Sequence, residues 1–478
     1  MSKKEEQLGI KVKKTEDFSE WYNEVVLKAG LAEHSVIKGF MVVRPDGYAI
    51  WESIQNFFDS RIKKIGVRNA YFPLLIPESF FKKESEHAEG FAPELAWIEQ
   101  KEEGEKYAIR PTSETIMYDS YSRWIRSWRD LPLRINNWCN VLRWEVKQTK
   151  LFLRTREFLW QEGHCVYETE EECEKETRLY LEEYRRVSEE LLAIPVLLGE
   201  KTESERFAGA KRTYTLEALM PDGKALQMGT SHNLGQNFAK AFKIKFLGKD
   251  EKQHIPWQNS WGISTRMIGA LVMVHSDDKG LVLPPKVAET QIVIVPIFKE
   301  NNKEEILKKS NEIKNKLKTV YSHLDDRGGY TPGWKYNEWE LKGIPLRMEI
   351  GPKDIEKGQV VLVRRDNGEK EFVREDQIEK RAKALLDEIQ DSLFIKAKKF
   401  LESNICGAKD WKEFISQVKN KKLVKAFFCG ETKCEDEIKD KTNGVTSRLI
   451  PFDQPQEKGK CIHCNKESKF LVVFGKAY

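Results

Sequence analysis

Between residues 105 and 265 the chain alternates short β-like runs, among them Arg134 to Glu145, Phe158 to Tyr167 and Ala225 to Thr230, with only a few helices. Runs that follow one another in sequence through tight loops predict a mostly antiparallel sheet, whereas regular strand-helix alternation would predict a doubly wound parallel one. The body of the chain is therefore read as a mixed α+β unit. Two amphipathic helices precede it. Residues 17 to 29 place Phe18, Trp21, Val25 and Val26 on one stripe ahead of Gly30, and Tyr48 to Ile65 place Ile50, Trp51, Ile54, Phe57, Phe58, Ile62 and Ile65 on another ahead of Gly66. Ala70 to Pro77 predicts a strand interrupted at Pro73, and Glu170 to Leu192 a long helix with a charged outer face.

The texture changes after Pro284-Pro285. The apolar run Gln291 to Phe298 leads into a Lys/Glu-rich helix, and Ile344 to Ile350 and Gln359 to Val363 supply two further β-like runs, which predicts a separate α/β domain. A charged helix from about Arg374 to Leu401 then leads into a Lys-rich tail. At 478 residues the chain exceeds a single core, and the expected division is 1–285, 286–385 and 386–478.

Composition excludes some functions and leaves others to local evidence. The 81 Lys+Arg against 76 Asp+Glu leave a net charge of only +5, too small to argue for nucleic acid by itself. No stretch approaches the ~18 unbroken apolar residues of a membrane span, so a cytoplasmic protein without membrane association is expected. Eight cysteines are too sparse for a disulfide scaffold and suit a reducing compartment. Four of them form Cys429-x4-Cys434 and Cys461-x2-Cys464, the spacing of a four-thiolate structural Zn2+ site. Unmetallated neighbouring thiols, or His463 replacing one cysteine, are the competing readings.

The chain contains no G-x4-G-K-[S/T] loop, so a bound nucleotide would need arginines for its phosphates. Three segments offer them: Val141-Leu-Arg143-Trp-Glu145, Phe152-Leu-Arg154-Thr155-Arg156-Glu157-Phe158, and Trp261-Gly-Ile-Ser264-Thr-Arg266. Taken alone, an R-x-E on a strand is more often a surface ion pair than a ligand. In this order, the segments resemble motifs 2 and 3 of the class II aminoacyl-tRNA synthetases, and Gly66 through Pro73 resembles motif 1. Arg110-Pro-Thr112-Ser-Glu114, Phe158-Leu-Trp160-Gln-Glu162-Gly-His164, Gly229-Thr230-Ser-His232 and Gly90-Phe91-Ala-Pro-Glu94 are similar to signatures of prolyl-tRNA synthetases. The resemblance runs with few interruptions from about residue 17 to the C-terminus and includes Trp334 to Pro352.

The resemblance implies an enzyme that activates L-proline with ATP and transfers it to the 3′ end of tRNA(Pro). It implies a class II antiparallel-sheet catalytic domain, an α/β anticodon-binding domain and a small α+β zinc-binding C-terminal domain. The type is the archaeal/eukaryotic-like one without an editing insertion, because only about 100 residues separate His164 from Gly262. Activation is attack of a carboxylate on the α-phosphorus, and a planar guanidinium bridges two anions where an ammonium offers a point charge. Arg143 is assigned that bridge. Glu145, read as two residues further along the same strand face, is assigned to the adenine amino group. Arg154 and Thr155 are assigned to phosphate or ribose, Gln227, Thr230 and Ser264 to further ATP contacts, and Phe158 and Arg266 to opposite faces of the adenine. Mg2+ is expected on the phosphate oxygens, with no protein ligand named.

For the amino acid, Thr112 and Glu114 supply acceptors for a secondary ammonium, and Trp160, Phe91, Glu162, His232 and Ser260 surround the ring. Phe91 is equally readable as a core aromatic and His232 as a hydrogen-bonded structural histidine. Lys335, Glu340, Arg347 and Lys353 are expected at the tRNA anticodon. Trp334, Tyr336 and Trp339 would stack on bases or pack on their own helix. A homodimer built on motif 1 is expected, with the terminus at Tyr478 tucked against the catalytic domain; DNA and membrane are not expected partners. A threonyl-type synthetase and a non-catalytic RNA-binding paralogue are the alternatives. The first would need a zinc in its pocket, and the second would have lost Arg143, Glu145 or Arg266.

Overall fold

The structure is a computed structural model that describes residues 9–85, 94–99, 104–457 and 459–478. Its centre is an 11-stranded sheet. The catalytic half runs in the order Leu197–Glu200, Arg212–Leu219, Lys224–Gly235, Trp257–Ser264, Glu157–Tyr167, Leu133–Leu142 and Arg68–Asn69. All of these pairs are antiparallel except the outermost, where Arg68–Asn69 runs parallel to Leu133–Leu142. The antiparallel expectation therefore holds for the body, and Pro73 separates the short strands Arg68–Asn69 and Leu75–Pro77.

Strand periodicity divides the sheet into two faces. In Glu157–Tyr167, Cys165 and Tyr167 enter the main apolar core, while Phe158, Trp160, Glu162 and His164 face a cavity. The core face is covered by Phe18–Lys28, Pro45–Lys64, Glu170–Arg186 and Arg266–His275. Ile50, Trp51, Ile54, Phe58 and Ile62 of the second helix are buried there, and Phe57 and Ile65 pack at its margin. Expected as one helix to Leu192, the charged segment stays α-helical to Arg186 and continues as a π turn, Val187–Leu191.

The second unit is a five-stranded sheet in the order Ser322–Leu324, Ile292–Pro296, Leu346–Ile350, Gln359–Arg364 and Lys370–Arg374. Its first three strands are parallel and the others antiparallel. Helix Ile378–Ser403 runs through the expected boundary at 385/386. Ile378, Ala382, Leu385, Ile389 and Leu393, at spacings of three and four, pack into the core of this second unit, whereas Leu401 packs with Leu219, Leu423 and Val473. One helix thus ties three parts of the chain together.

The tail does not build a sheet of its own. Its strands Ile405–Gly407, Leu423–Phe428, Phe470–Ala477 and Val445–Pro451 extend the catalytic sheet, through pairing of Ile450 with Glu200 and Pro451 with Gly199. The final strand also runs parallel to the start of Lys224–Gly235, and the Tyr478 hydroxyl donates to Asp222 at 2.7 Å. The terminus is tucked against the catalytic body as expected.

Candidate active site

Three neighbouring strands present alternate residues to one cavity of about 400 Å³. Their register sets Trp160 beside Ser264, places Gly262 between Glu162 and Thr230, and places Ser260 between His164 and His232. Gly262 lies mid-floor, and its missing side chain leaves room between Glu162 and Thr230. Helix Glu114–Trp124 brings Thr112 and Glu114 over one end, where the Ser113 amide donates to Glu162 at 3.2 Å.

At this end two carboxylates and an imidazole are buried together. Burial pushes the Glu162 carboxyl up, yet its hydrogen bond to His164 at 3.2 Å, the imidazole's charge and the Ser113 amide outweigh burial and hold it below the ordinary range. Burial likewise opposes charge on His164, but the Glu162 hydrogen bond and the charges of Glu114 and Glu162 keep it above its usual value. Glu114 is raised, first by burial and then by Glu162, although the Thr112 hydroxyl donates to it. Glu114 and Glu162 thus offer carboxylate acceptors beside one imidazole, a set that a ligand ammonium would match. His232 is depressed to about 3 by burial and the His164 charge, so it is neutral; its Nδ1 lies 3.0 Å from the Thr213 hydroxyl. The buried Ser260 hydroxyl has no partner among the described residues and lines the same cavity.

The other end is cationic. Arg143 and Arg266 come from separate segments and line one cavity, and among the described residues neither forms a salt bridge. Arg266 donates to the Leu153 carbonyl at 3.2 Å and the Gln227 carbonyl at 3.3 Å. Burial, then the Arg143 charge, depress it to about 10. Two desolvated guanidiniums with no salt-bridge partner among the described residues make an anion site, although the carboxylates of Glu145 and Glu217 act on them from a distance.

Of the residues expected from sequence, Thr112, Glu114, Arg143, Glu145, Phe158, Trp160, Glu162, Gln227, Thr230, His232, Ser260, Ser264 and Arg266 line this one cavity. Phe91 lies outside the described residues. Two details differ from expectation. The strand ends at Leu142, so Glu145 reaches the rim through a turn closed by the Val146 amide on the Arg143 carbonyl at 3.4 Å, not by strand alternation. Thr155 is buried with its hydroxyl spent on the Glu157 carbonyl at 2.6 Å, and neither it nor exposed Arg154 lines the cavity. The Arg143 guanidinium stands 5.3 Å from the Phe158 ring and 5.6 Å from that of Trp160.

In the second unit, Lys335 is corrected as well. It is buried, donating to the Asp325 carbonyl at 2.8 Å and lying 3.3 Å from its carboxylate, which leaves no ammonium face for a phosphate. The aromatics are engaged within their own unit: Trp334 stacks on Tyr330 at 4.1 Å, Trp339 donates to Asp325 at 2.8 Å, and Tyr336 lies under Arg347 at 4.1 Å. Glu340 and Arg347 line a second cavity of about 290 Å³, while Lys353 is exposed outside it.

Lys201, Glu205, Phe207 and Thr213 also line the catalytic cavity and were not anticipated. A signal was present, because Thr213, Thr215 and Glu217 alternate with Tyr214, Leu216 and Ala218, the pattern of an internal strand with one polar face. The loop carrying Glu205 and Phe207 has no such periodicity.

In the tail, the sulfurs of Cys429, Cys434, Cys461 and Cys464 all lie within 4.8 Å of one another, and Cys434 and Cys461 are 3.7 Å apart. A tetrahedron with Zn–S near 2.3 Å has edges of about 3.8 Å, so the donor set fits zinc. His463 stands behind the ligands, its Nδ1 3.4 Å from Cys434 and its Nε2 2.7 Å from the Lys441 ammonium.

An antiparallel sheet with paired arginines over a buried acidic pocket defines the class. Residues 97–275 match the tRNA synthetase class II core domain (G, H, P, S and T), and residues 291–385 match an anticodon binding domain. Residues 411–478 match the C-terminal domain of prolyl-tRNA synthetase. The chain is 51% identical to a proline--tRNA ligase of Alkaliphilus oremlandii over 100% of both chains. It is 52% identical to proline--tRNA ligase 2 of Bacillus cereus over 99% of each, and 51% identical to a proline--tRNA ligase of Natranaerobius thermophilus over 100% of each. The chain belongs to the prolyl-tRNA synthetase family.

Proposed function

We propose that this protein joins L-proline to tRNA(Pro), first forming prolyl-adenylate from proline and ATP with release of pyrophosphate. The observation that carries the reading is the cavity's polarity, with unpaired Arg143 and Arg266 at one end and buried Glu114 and Glu162 at the other. A zwitterionic imino acid lies along that gradient with its ammonium at the acids and its carboxylate toward Arg143. Arg143 then holds the carboxylate against the α-phosphate and neutralises the charge that accumulates as the bond to pyrophosphate breaks. Arg266 serves the outer phosphates, while Trp160, His232 and Ser260 enclose the pyrrolidine. Glu145, Phe158, Gln227, Thr230 and Ser264 attend the nucleotide, and Arg154 and Thr155 shape the loop beside it.

Among the described residues no further acidic cluster adjoins the phosphate end. Mg2+ would therefore take its ligands mainly from phosphate and water, supplying charge neutralisation when bound. Zn2+ on the four tail cysteines has no open position and is structural. The three units divide the work, the first carrying the chemistry, the second, which helix Ile378–Ser403 extends past residue 385, reading the anticodon with Glu340, Arg347 and Lys353, and the tail bracing both. A homodimer is supported by the apolar surface around edge strand Arg68–Asn69, where Tyr71 is 72% exposed and Leu74, Leu75 and Trp124 are also exposed. The enzyme works in the cytoplasm, where its tRNA is charged.

The test is pyrophosphate exchange into ATP with each of the twenty amino acids. Proline leads, with weak response to alanine and cysteine, because each missing methylene costs only about 1–3 kcal/mol of discrimination. A response led by threonine or serine, or none, contradicts the reading.

A further inference from the structure

Beneath the cationic end of the cavity lies a fully buried charge cluster built from two distant parts of the chain. Glu217 accepts from Lys201 at 2.8 Å, and from Arg448 through both carboxylate oxygens at 3.1 and 3.2 Å. Lys201 and Glu217 belong to the catalytic body, whereas Arg448 comes from tail strand Val445–Pro451, where the tail joins the catalytic sheet. Lys201 lines the cavity, and Glu217 stands in register with Gln227, which lines it too. By formal charge, two cations on one carboxylate leave one positive charge in excess, which burial and the nearby Glu205 temper at Lys201, and the Arg448 Nε has no partner among the described residues. An unmatched buried charge is costly unless an anion completes it. The adjoining anion site is the one formed by Arg143 and Arg266.

A second strut holds the segment that leads from Lys201 toward the amino-acid end, where Phe207 lies 4.7 Å from the His232 ring. Glu435 directly follows Cys434 in helix Thr432–Lys441, accepts from the Thr202 hydroxyl at 3.2 Å, from Ser204, and from the Ser447 amide at 3.0 Å. It thereby grips the segment that runs from Lys201 to Glu205 and Phe207 on the cavity wall. The tail therefore touches the wall at two points, Arg448 below and Glu435 behind.

We propose that Arg448 is a positioning residue for the nucleotide end of the catalytic cavity, acting through Glu217 and Lys201, so that the C-terminal unit sets how well the cavity holds ATP. This rests on the ATP reading given above. It assigns the tail a role in the first half-reaction, before tRNA is engaged.

Pyrophosphate exchange with ATP varied at saturating proline, and then the reverse, separates the possibilities. Arg448→Ala is expected to raise the KM for ATP about tenfold or more while the KM for proline stays within about twofold. Arg448→Lys, which keeps the charge but loses the planar fork that spans Glu217 through Nη2 and Thr446 through Nη1, should raise the ATP KM about threefold. In Arg448→Met/Glu217→Gln the cluster again carries one positive charge, on Lys201 alone, but its anchor is gone, and the ATP KM should stay raised. A parental ATP KM in that double variant means that charge balance alone mattered and overturns the proposal, as does an ATP KM within twofold of parent in Arg448→Ala. Equal shifts in both KM values overturn it too, since they report general loosening. If Arg448→Ala does not fold, Arg448→Lys decides, a parental ATP KM being the contrary result. Proline-dependent exchange by the parent shows whether the functional reading itself stands.

Discussion

Glu114 is buried in the amino-acid pocket, where burial raises its carboxyl, the His164 charge opposes the rise and the neighbouring Glu162 adds to it. Glu114→Gln is expected to raise the KM for proline at least about tenfold, roughly the 1.5–3 kcal/mol of a hydrogen bond to a charged group, with the KM for ATP little changed. Steady-state exchange kinetics check it, and equal effects on both substrates would contradict the assignment. His164 supplies the pH dependence. Its folded pKa is raised, so its contribution to stability is complete below the ordinary value of about 6.5 and is lost as pH rises through the raised one. The stability difference between the parent and His164→Gln should therefore shrink from pH 6 to pH 9 in thermal melts. A difference that grows with pH would show the imidazole to be neutral in the folded state.

At the scale of elements, the cavity depends on strands held in one register. Gly163 pairs with Trp261, whose indole stacks on Tyr180 at 4.0 Å, and a Cβ added at position 163 would come within 2.0 Å of that ring. Gly163→Ala must displace the indole or separate the strands, with an expected cost of about 1–3 kcal/mol in denaturation and a loss of activity larger than the loss of folded protein. A variant of parental stability and activity would show the register to be tolerant. Much of this layout was legible in sequence, since the antiparallel body follows from short neighbouring runs, and Trp160, Glu162 and His164 share a face by simple alternation. What alternation does not convey is where a strand stops. Glu145 was placed on a strand that ends at Leu142, and the turn beyond it is set by tertiary hydrogen bonds. Lys335 was read as a surface cation because nothing local reveals that Asp325 draws its ammonium inward. Lys201 and Phe207 went unanticipated because a long-range clasp from Glu435 and Arg448 shapes their segment.

For the whole molecule, the continuous sheet makes the tail part of the catalytic body rather than an appendage. Zinc analysis of protein purified without chelator is expected to give about one ion per chain, and Cys434→Ser to lower it sharply. Binding by four thiolates contributes about 10–16 kcal/mol in small domains, so metal removal should unfold the tail and, through the shared sheet, lower the melting temperature of the catalytic unit. Fewer than half an ion per chain would contradict the four-thiolate site.

The central claim is that guanidiniums from two separate segments hold one triphosphate for attack by the amino acid's carboxylate. Proline-dependent pyrophosphate exchange by Arg143→Ala and Arg266→Ala, in protein shown to be folded by circular dichroism, tests it most directly. Each substitution is expected to lower the rate by about a hundredfold or more, in line with the loss of one preorganised charge donor. Exchange within about threefold of the parent in either variant would contradict it.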